Sequence, residues 1–126
     1  MPRIADFVVI ADQRFDIAHN DEGGFQETRN FNLGTDVHLP SKSLLSFVLH
    51  VFDGADDLAV RIQINGSTQF TCTVSFNGTG SRFHSMQEVV AGDVLVHGTN
   101  TIKFNSTSGN GTFGISDVVL HVQRDI

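Results

Sequence analysis

Toward the C-terminus lies the stretch on which the fold turns, "VLVHGTNTIKFNSTSGNGTFGISDVVLHV", Val94 to Val122. Gly109, Gly111 and Gly114 stand in the spacing G-x-G-x-x-G, which in nucleotide sites opens a helix whose N-terminal N–H groups and dipole meet a pyrophosphate. That use requires a helix directly after the glycines. Here the chain continues Ile115, Ser116, Asp117, Val118, Val119, Leu120, His121, Val122, a β-branched, alternating run that places Val118, Leu120 and Val122 on one face of a strand. The glycines and Asn110 therefore serve as the positive-φ corners of a loop between two antiparallel strands. The earlier of these carries Ile102 and Phe104 inward.

The same period of two extends upstream. "LAVRIQI", Leu58 to Ile64, alternates cleanly, with Leu58, Val60, Ile62 and Ile64 inward, as in a half-buried antiparallel strand. Asn65-Gly66 suits a tight hairpin turn, and "TQFTCTVSF" returns behind it. A second pair, Asn77-Gly78, leads to "RFHSMQEVV", so the three runs are expected to form a meander. "LLSFVLHVF", Leu44 to Phe52, is apolar on both faces and reads as a central strand, or one whose outer face, with Val48 and Phe52, meets a partner. Near the start, Phe7, Val9, Ala11, Phe15 and Ile17 are expected along one face of a first strand, opposite Asp12, Arg14 and Asp16. Phe25 to Leu33 follows as a second, with Phe31 and Leu33 inward. No segment of helical length has apolar residues at helical spacing. The result is an all-β chain of about eight strands, a single domain over residues 1–126, folded as an antiparallel two-sheet β-sandwich.

Composition narrows the role. Eight Lys and Arg against fourteen Asp and Glu leave a formal charge of −6, which repels phosphate backbones and anionic lipid, so neither nucleic acid nor membrane is an expected partner. The apolar run Phe7 to Ala11 is too short for a signal-peptide core or a membrane span. Cys72 is the sole cysteine, which excludes an internal disulfide and a multi-thiolate zinc site. Its parity with Phe70, Val74 and Phe76 makes it a small core residue.

Two sets of side chains are candidates for a site. His50, Arg61, Gln63, Lys103, His121 and Gln123 each fall on the polar parity of their strands, and are expected to share one sheet face as a ligand-binding surface. "DGADD", Asp53 to Asp57, offers Asp53, Asp56 and Asp57 at a strand end, oxygens of the kind that hold Ca²⁺; Asp21 and Glu22 join only if the fold brings them near. The closing Glu and alternating ligands of an EF-hand are missing. Ser116, Asp117 and His121 suggest a hydrolytic triad on paper, yet Ser116 and Asp117 point to opposite sides of a regular strand, and no G-x-S-x-G elbow is present. No catalytic residue is assigned, and the chain is read as not an enzyme.

"LAVRIQINGSTQF", "EVVAGDVLVHGTNTIKF" and "GTFGISDVVLHVQ", together spanning about Leu58 to Gln123, resemble the galactose-binding-domain-like jelly rolls, which include many carbohydrate-binding modules. The resemblance implies a jelly-roll topology, a non-catalytic lectin-like role with glycan as partner, and a structural Ca²⁺ near the first and last strands, with Asp117 as a ligand. One feature departs from that pattern. Such modules commonly stack Trp or Tyr on the sugar, whereas here all eleven aromatics are Phe, so a sugar site would rely on Phe, His, Arg and amides. The alternative expectation is a structural or self-assembling subunit of a homo-oligomer or filament, meeting its neighbours through the outer face of Leu44 to Phe52.

Overall fold

A computed structural model describes residues 2–20 and 23–126. Asp21 and Glu22, considered above as metal oxygens, lie outside the described residues. Among the described residues ten strands follow one another as β1 (Arg3–Ala11), β2 (Phe15–Asn20), β3 (Gly23–Gly24), β4 (Gln26–Leu33), β5 (Ser43–Phe52), β6 (Ala55–Ile64), β7 (Ser67–Phe76), β8 (Ser81–Val90), β9 (Gly98–Asn105) and β10 (Gly111–Asp125). One sheet has the order β3-β2-β10-β5-β8, with β1 also bonded to β10; the other has the order β4-β9-β6-β7. All pairings are antiparallel.

The partnerships are nested. β6 pairs with β7, β5 with β8, β4 with β9, and β1 and β2 with β10, as if one long hairpin had been rolled up so that successive layers fall alternately in the two sheets. That is the jelly-roll wrap. Its core is made by the inward parities anticipated for the later strands: Leu58, Val60, Ile62 and Ile64 of β6, Ile102 and Phe104 of β9, and Val118, Leu120 and Val122 of β10 are all buried. Each such side chain contributes about 1.5–3 kcal/mol on leaving water. Leu45, Phe47, Leu49 and Val51 of β5 are buried too, and β5 is central in its sheet.

Two expectations change. The first strand is two, because the chain bends at residues 12–14 and a bulge shifts the register between Val9 and Ala11. Phe7 and Val9 consequently point outward, 60% and 52% exposed, while Val8, Ile10 and Ala11 pack on the core. The meander is likewise broken: β7 is bonded to β6, but β8 is bonded to β5, so Asn77–Gly80 carries the chain from one sheet to the other. Positive φ occurs at Asn65 and Gly66, as the hairpin turn required; after β7 it falls on Gly80 instead of Asn77 or Gly78, and in the Gly-rich loop on Gly109 and Gly111 but not on Asn110 or Gly114.

A second bulge lies within β10. Ser116 opposes Val48 and Val119 opposes Ser46, leaving Asp117 and Val118 against Phe47 alone. Asp117 has φ +53°. The extra residue exchanges the faces of the strand, which is how Phe113 and Ile115 on one side of it and Val118 and Leu120 on the other all point inward. Below β10 the Gly-rich loop runs against β6: Asp56 and Asn110 exchange backbone hydrogen bonds of 2.8 and 3.0 Å, and no helix follows.

Candidate functional site

The register fixes what the outer face of the β5 sheet presents. Phe7, His121, Leu44 and Val89 form one row across β1, β10, β5 and β8. Asp16, Gly114, His50 and Phe83 form another across β2, β10, β5 and β8. Gly114 leaves this second row without a side chain at its middle, and the space is taken by its neighbours: a Cβ there would lie 2.7 Å from Asp16 Oδ1 and 3.1 Å from Arg14 Cδ. Arg14 and Asp16 form an ion pair at 3.2 Å, and the Arg14 guanidinium lies over the Phe52 ring at 5.2 Å.

His50 is the centre of this group. Its Nε2 lies 2.8 Å from Ser116 Oγ, which donates to Asp117 Oδ2 at 2.9 Å. The bulge is responsible, since in a regular strand adjacent side chains diverge; the expected divergence of Ser116 and Asp117 is corrected here. A hydroxyl has one proton. With that proton on Asp117, His50 Nε2 carries the N–H and donates to Ser116, leaving Nδ1 as the bare nitrogen, buried and without a partner among the described residues. Burial, assisted by Arg14, holds the His50 pKa below the ordinary 6.5, against the opposing pull of Asp16 and Asp117. A neutral imidazole fits that arrangement. The order is His–Ser–Asp with serine in the middle, whereas a hydrolytic relay places histidine between the other two.

The Phe83 ring meets His50 edge to face, 4.8 Å between centroids, and remains 63% exposed. The site is thus an apolar ring standing beside hydrogen-bonded polar groups whose positions are set by one another.

The six ligand candidates from the sequence do not share one face. His50, His121 and Gln123 belong to β5 and β10, Arg61 and Gln63 to β6, and Lys103 to β9, so the two trios sit on opposite outer surfaces, separated by sheets about 10 Å apart. Parity told inside from outside but not which sheet. His121 Nε2 is 3.1 Å from Ser46 Oγ, and Gln123 Oε1 accepts from Ser41 Oγ at 3.3 Å. Across the molecule, Arg61 Nε donates to Asn105 Oδ1 at 3.1 Å, and Gln63 opposes Lys103. Phe83, Arg14 and Asp16 had not been singled out. The available signal for Phe83 was its odd parity, opposite to that of the buried Val90 on the same strand.

The acidic candidates do not converge either. Asp53 Oδ1 accepts from Gly78 N at 3.0 Å, Asp57 Oδ1 from Ser75 Oγ at 3.5 Å, and Asp56 is engaged through its backbone with Asn110. Asp117 lies on β10 opposite the middle of β5, well away from the turn that follows Phe52. Among the described residues no group of three His, Cys, Asp or Glu side chains is arranged to hold a metal. Cys72 is half-buried, and burial raises its thiol pKa.

No protein-family model matches the sequence, and no curated protein sequence matches it. Solved structures do match. Dimeric latent PorU from Porphyromonas gingivalis aligns over 99% of this chain and 13% of its own, with a TM-score of 0.72 at 9% identity. Wild-type BuGH86 in complex with neoagarooctaose aligns over 97% of this chain and 19% of its own, with a TM-score of 0.64 at 18% identity. The Gx strain structure of infectious bursal disease virus aligns over 97% and 32%, with a TM-score of 0.56 at 12% identity. This chain therefore spans less than a third of each of these partners. What it has in common with them is the β-sandwich fold, one architecture serving proteins of unlike kinds.

Proposed function

We propose that the domain is a non-catalytic carbohydrate-binding module of the galactose-binding-like kind, and that the sugar lies on the outer face of the β5 sheet at Phe83 and His50. The observation that carries this reading is the exposed Phe83 ring set against the His50–Ser116–Asp117 chain and the Arg14–Asp16 pair. A pyranose offers a C–H face and a rim of hydroxyls. It is suited by a flat apolar surface beside fixed donors and acceptors. Phe83 supplies the first, and the polar chain supplies the second. The non-catalytic part of the proposal rests on Ser116, whose proton is held by Asp117 rather than taken by a basic histidine.

Affinity electrophoresis through gels carrying neutral polysaccharides, followed by a glycan array, tests the reading. Retardation by at least one glycan is expected. Phe83→Ala should weaken it about tenfold or more, the loss of one buried aromatic contact, with the thermal midpoint unchanged and with EDTA without effect. A protein that ignores every glycan, or whose retention survives Phe83→Ala, would remove the proposal.

A further inference from the structure

We infer that β8 is a dimerisation edge, pairing antiparallel with β8 of a second copy about a two-fold axis through Met86. Among the described residues β8 bonds only to β5, in unbroken register from Ser43↔Val90 to Phe52↔Ser81. Its other edge is ten residues of unpaired backbone without proline, lysine or bulge; its charged groups, Arg82 and Glu88, share the inward parity of Met86 at the rim, where they guard the edge of a lone copy unless a second copy supplies the opposite charges. The sandwich is also open along this rim. Phe70 and Val74 of β7 and Met86 of β8 point toward the core yet are only partly buried, while the inward residues of the interior strand β5 are buried throughout.

Chemistry selects the occupant and the register. For two copies to continue one sheet with both outer faces on the same side, the axis must pass through a residue, since an axis between residues would set an outward side chain opposite an inward one. With Met86 on the axis, Glu88 stands opposite His84 of the other copy and diagonal to Arg82, and Phe83 stands opposite Val89. Phe83 and Val89 are among the most exposed apolar side chains of the molecule, at 63% and 55%. None of Arg82, His84 and Glu88 forms an ion pair among the described residues. Each strand thus carries both the negative group and the basic groups that face it, a self-complementary arrangement of the kind a two-fold interface requires.

Mass measured by light scattering and sedimentation over a concentration series decides the matter, and no sugar enters the readout, so the result is independent of the glycan reading. A monomer–dimer equilibrium is expected. Glu88→Lys should raise the dimer dissociation constant about tenfold or more, because at both symmetry-related positions the carboxylate facing His84 and diagonal to Arg82 gives way to a cation. Adding His84→Glu to it should recover most of the loss. Circular dichroism of each variant checks that the fold is kept. A monomer at every concentration would overturn the inference, as would a mass that climbs past the dimer without a plateau. A dimer indifferent to Glu88→Lys, or one that the second change does not recover, would overturn it equally.

Discussion

Gly109 has φ +88°, and a Cβ built on it would sit 2.0 Å from the carbonyl oxygen of Asp57. Strain and collision therefore add. Gly109→Ala is expected to lower unfolding free energy by about 2–4 kcal/mol in urea titration. Gly66 has φ +83° with nothing within 4 Å of its would-be Cβ, so Gly66→Ala should cost only about 1–2 kcal/mol, the conformational part alone. The contrast separates two reasons for a glycine that look alike in sequence. Asn65-Gly66 was legible as a hairpin corner because the reason is local. For Gly109 the loop was legible, but the contact that demands glycine lies on β6, and no spacing within the loop reveals it.

At the scale of the strand, the bulge in β10 governs. Deleting Asp117 would make the strand regular and turn every residue beyond it over, bringing His121 inward and Val118, Leu120 and Val122 out. Loss of a cooperative thermal transition is expected, followed by circular dichroism, whereas Asp117→Gly, which keeps the extra residue and favours positive φ, should retain the transition. Alternation alone placed the inward residues of β6 from Leu58 to Ile64 and of β9 correctly, since those runs are buried on one side and keep their period. The start of the chain defeated the same reasoning. Phe7 and Val9 share parity with Phe15 and Ile17 in the sequence, but the bend at residues 12–14 separates them, and the polar residues there looked like the solvent side of one strand. The candidate site suffered from a different gap. His50 and Arg61 are both outward-facing, and only the nested pairing, which sends β5 and β6 to different sheets, shows that they lie on opposite surfaces.

For the whole molecule, one arginine ties distant parts together. Arg124 donates from Nη1 to Asp6 Oδ2 at 2.6 Å and from Nε to Asp36 Oδ2 at 2.8 Å, with a further contact from Nη2 to Asp36, joining β1, β10 and the loop after β4. That guanidinium, with a backbone N–H from Phe7, holds the Asp6 carboxyl below its ordinary 3.8. A lowered carboxyl pKa stabilises the fold above the unfolded value, and the contribution fades as pH falls through the folded one. The thermal midpoint should therefore drop as pH is lowered from about 5 to 3, less steeply in Asp6→Asn, and high salt should shrink the difference because the pair is part-exposed.

The nesting of the strands also dictates an order of events during synthesis. β10 is the last strand, yet it holds β1 and β2 on one side and β5 on the other, and it brings Phe113, Ile115, Val118, Leu120 and Val122 to the interior. Until the ribosome has released it, β1 and β5 have no common neighbour and half of the sandwich lacks its central plank. Only the β6–β7 hairpin and the short β2–β3 pair can close early from nearby residues. The native state is accordingly closed to any chain that lacks β10, and a nascent chain stalled before Gly111 would offer protease an unfinished sheet.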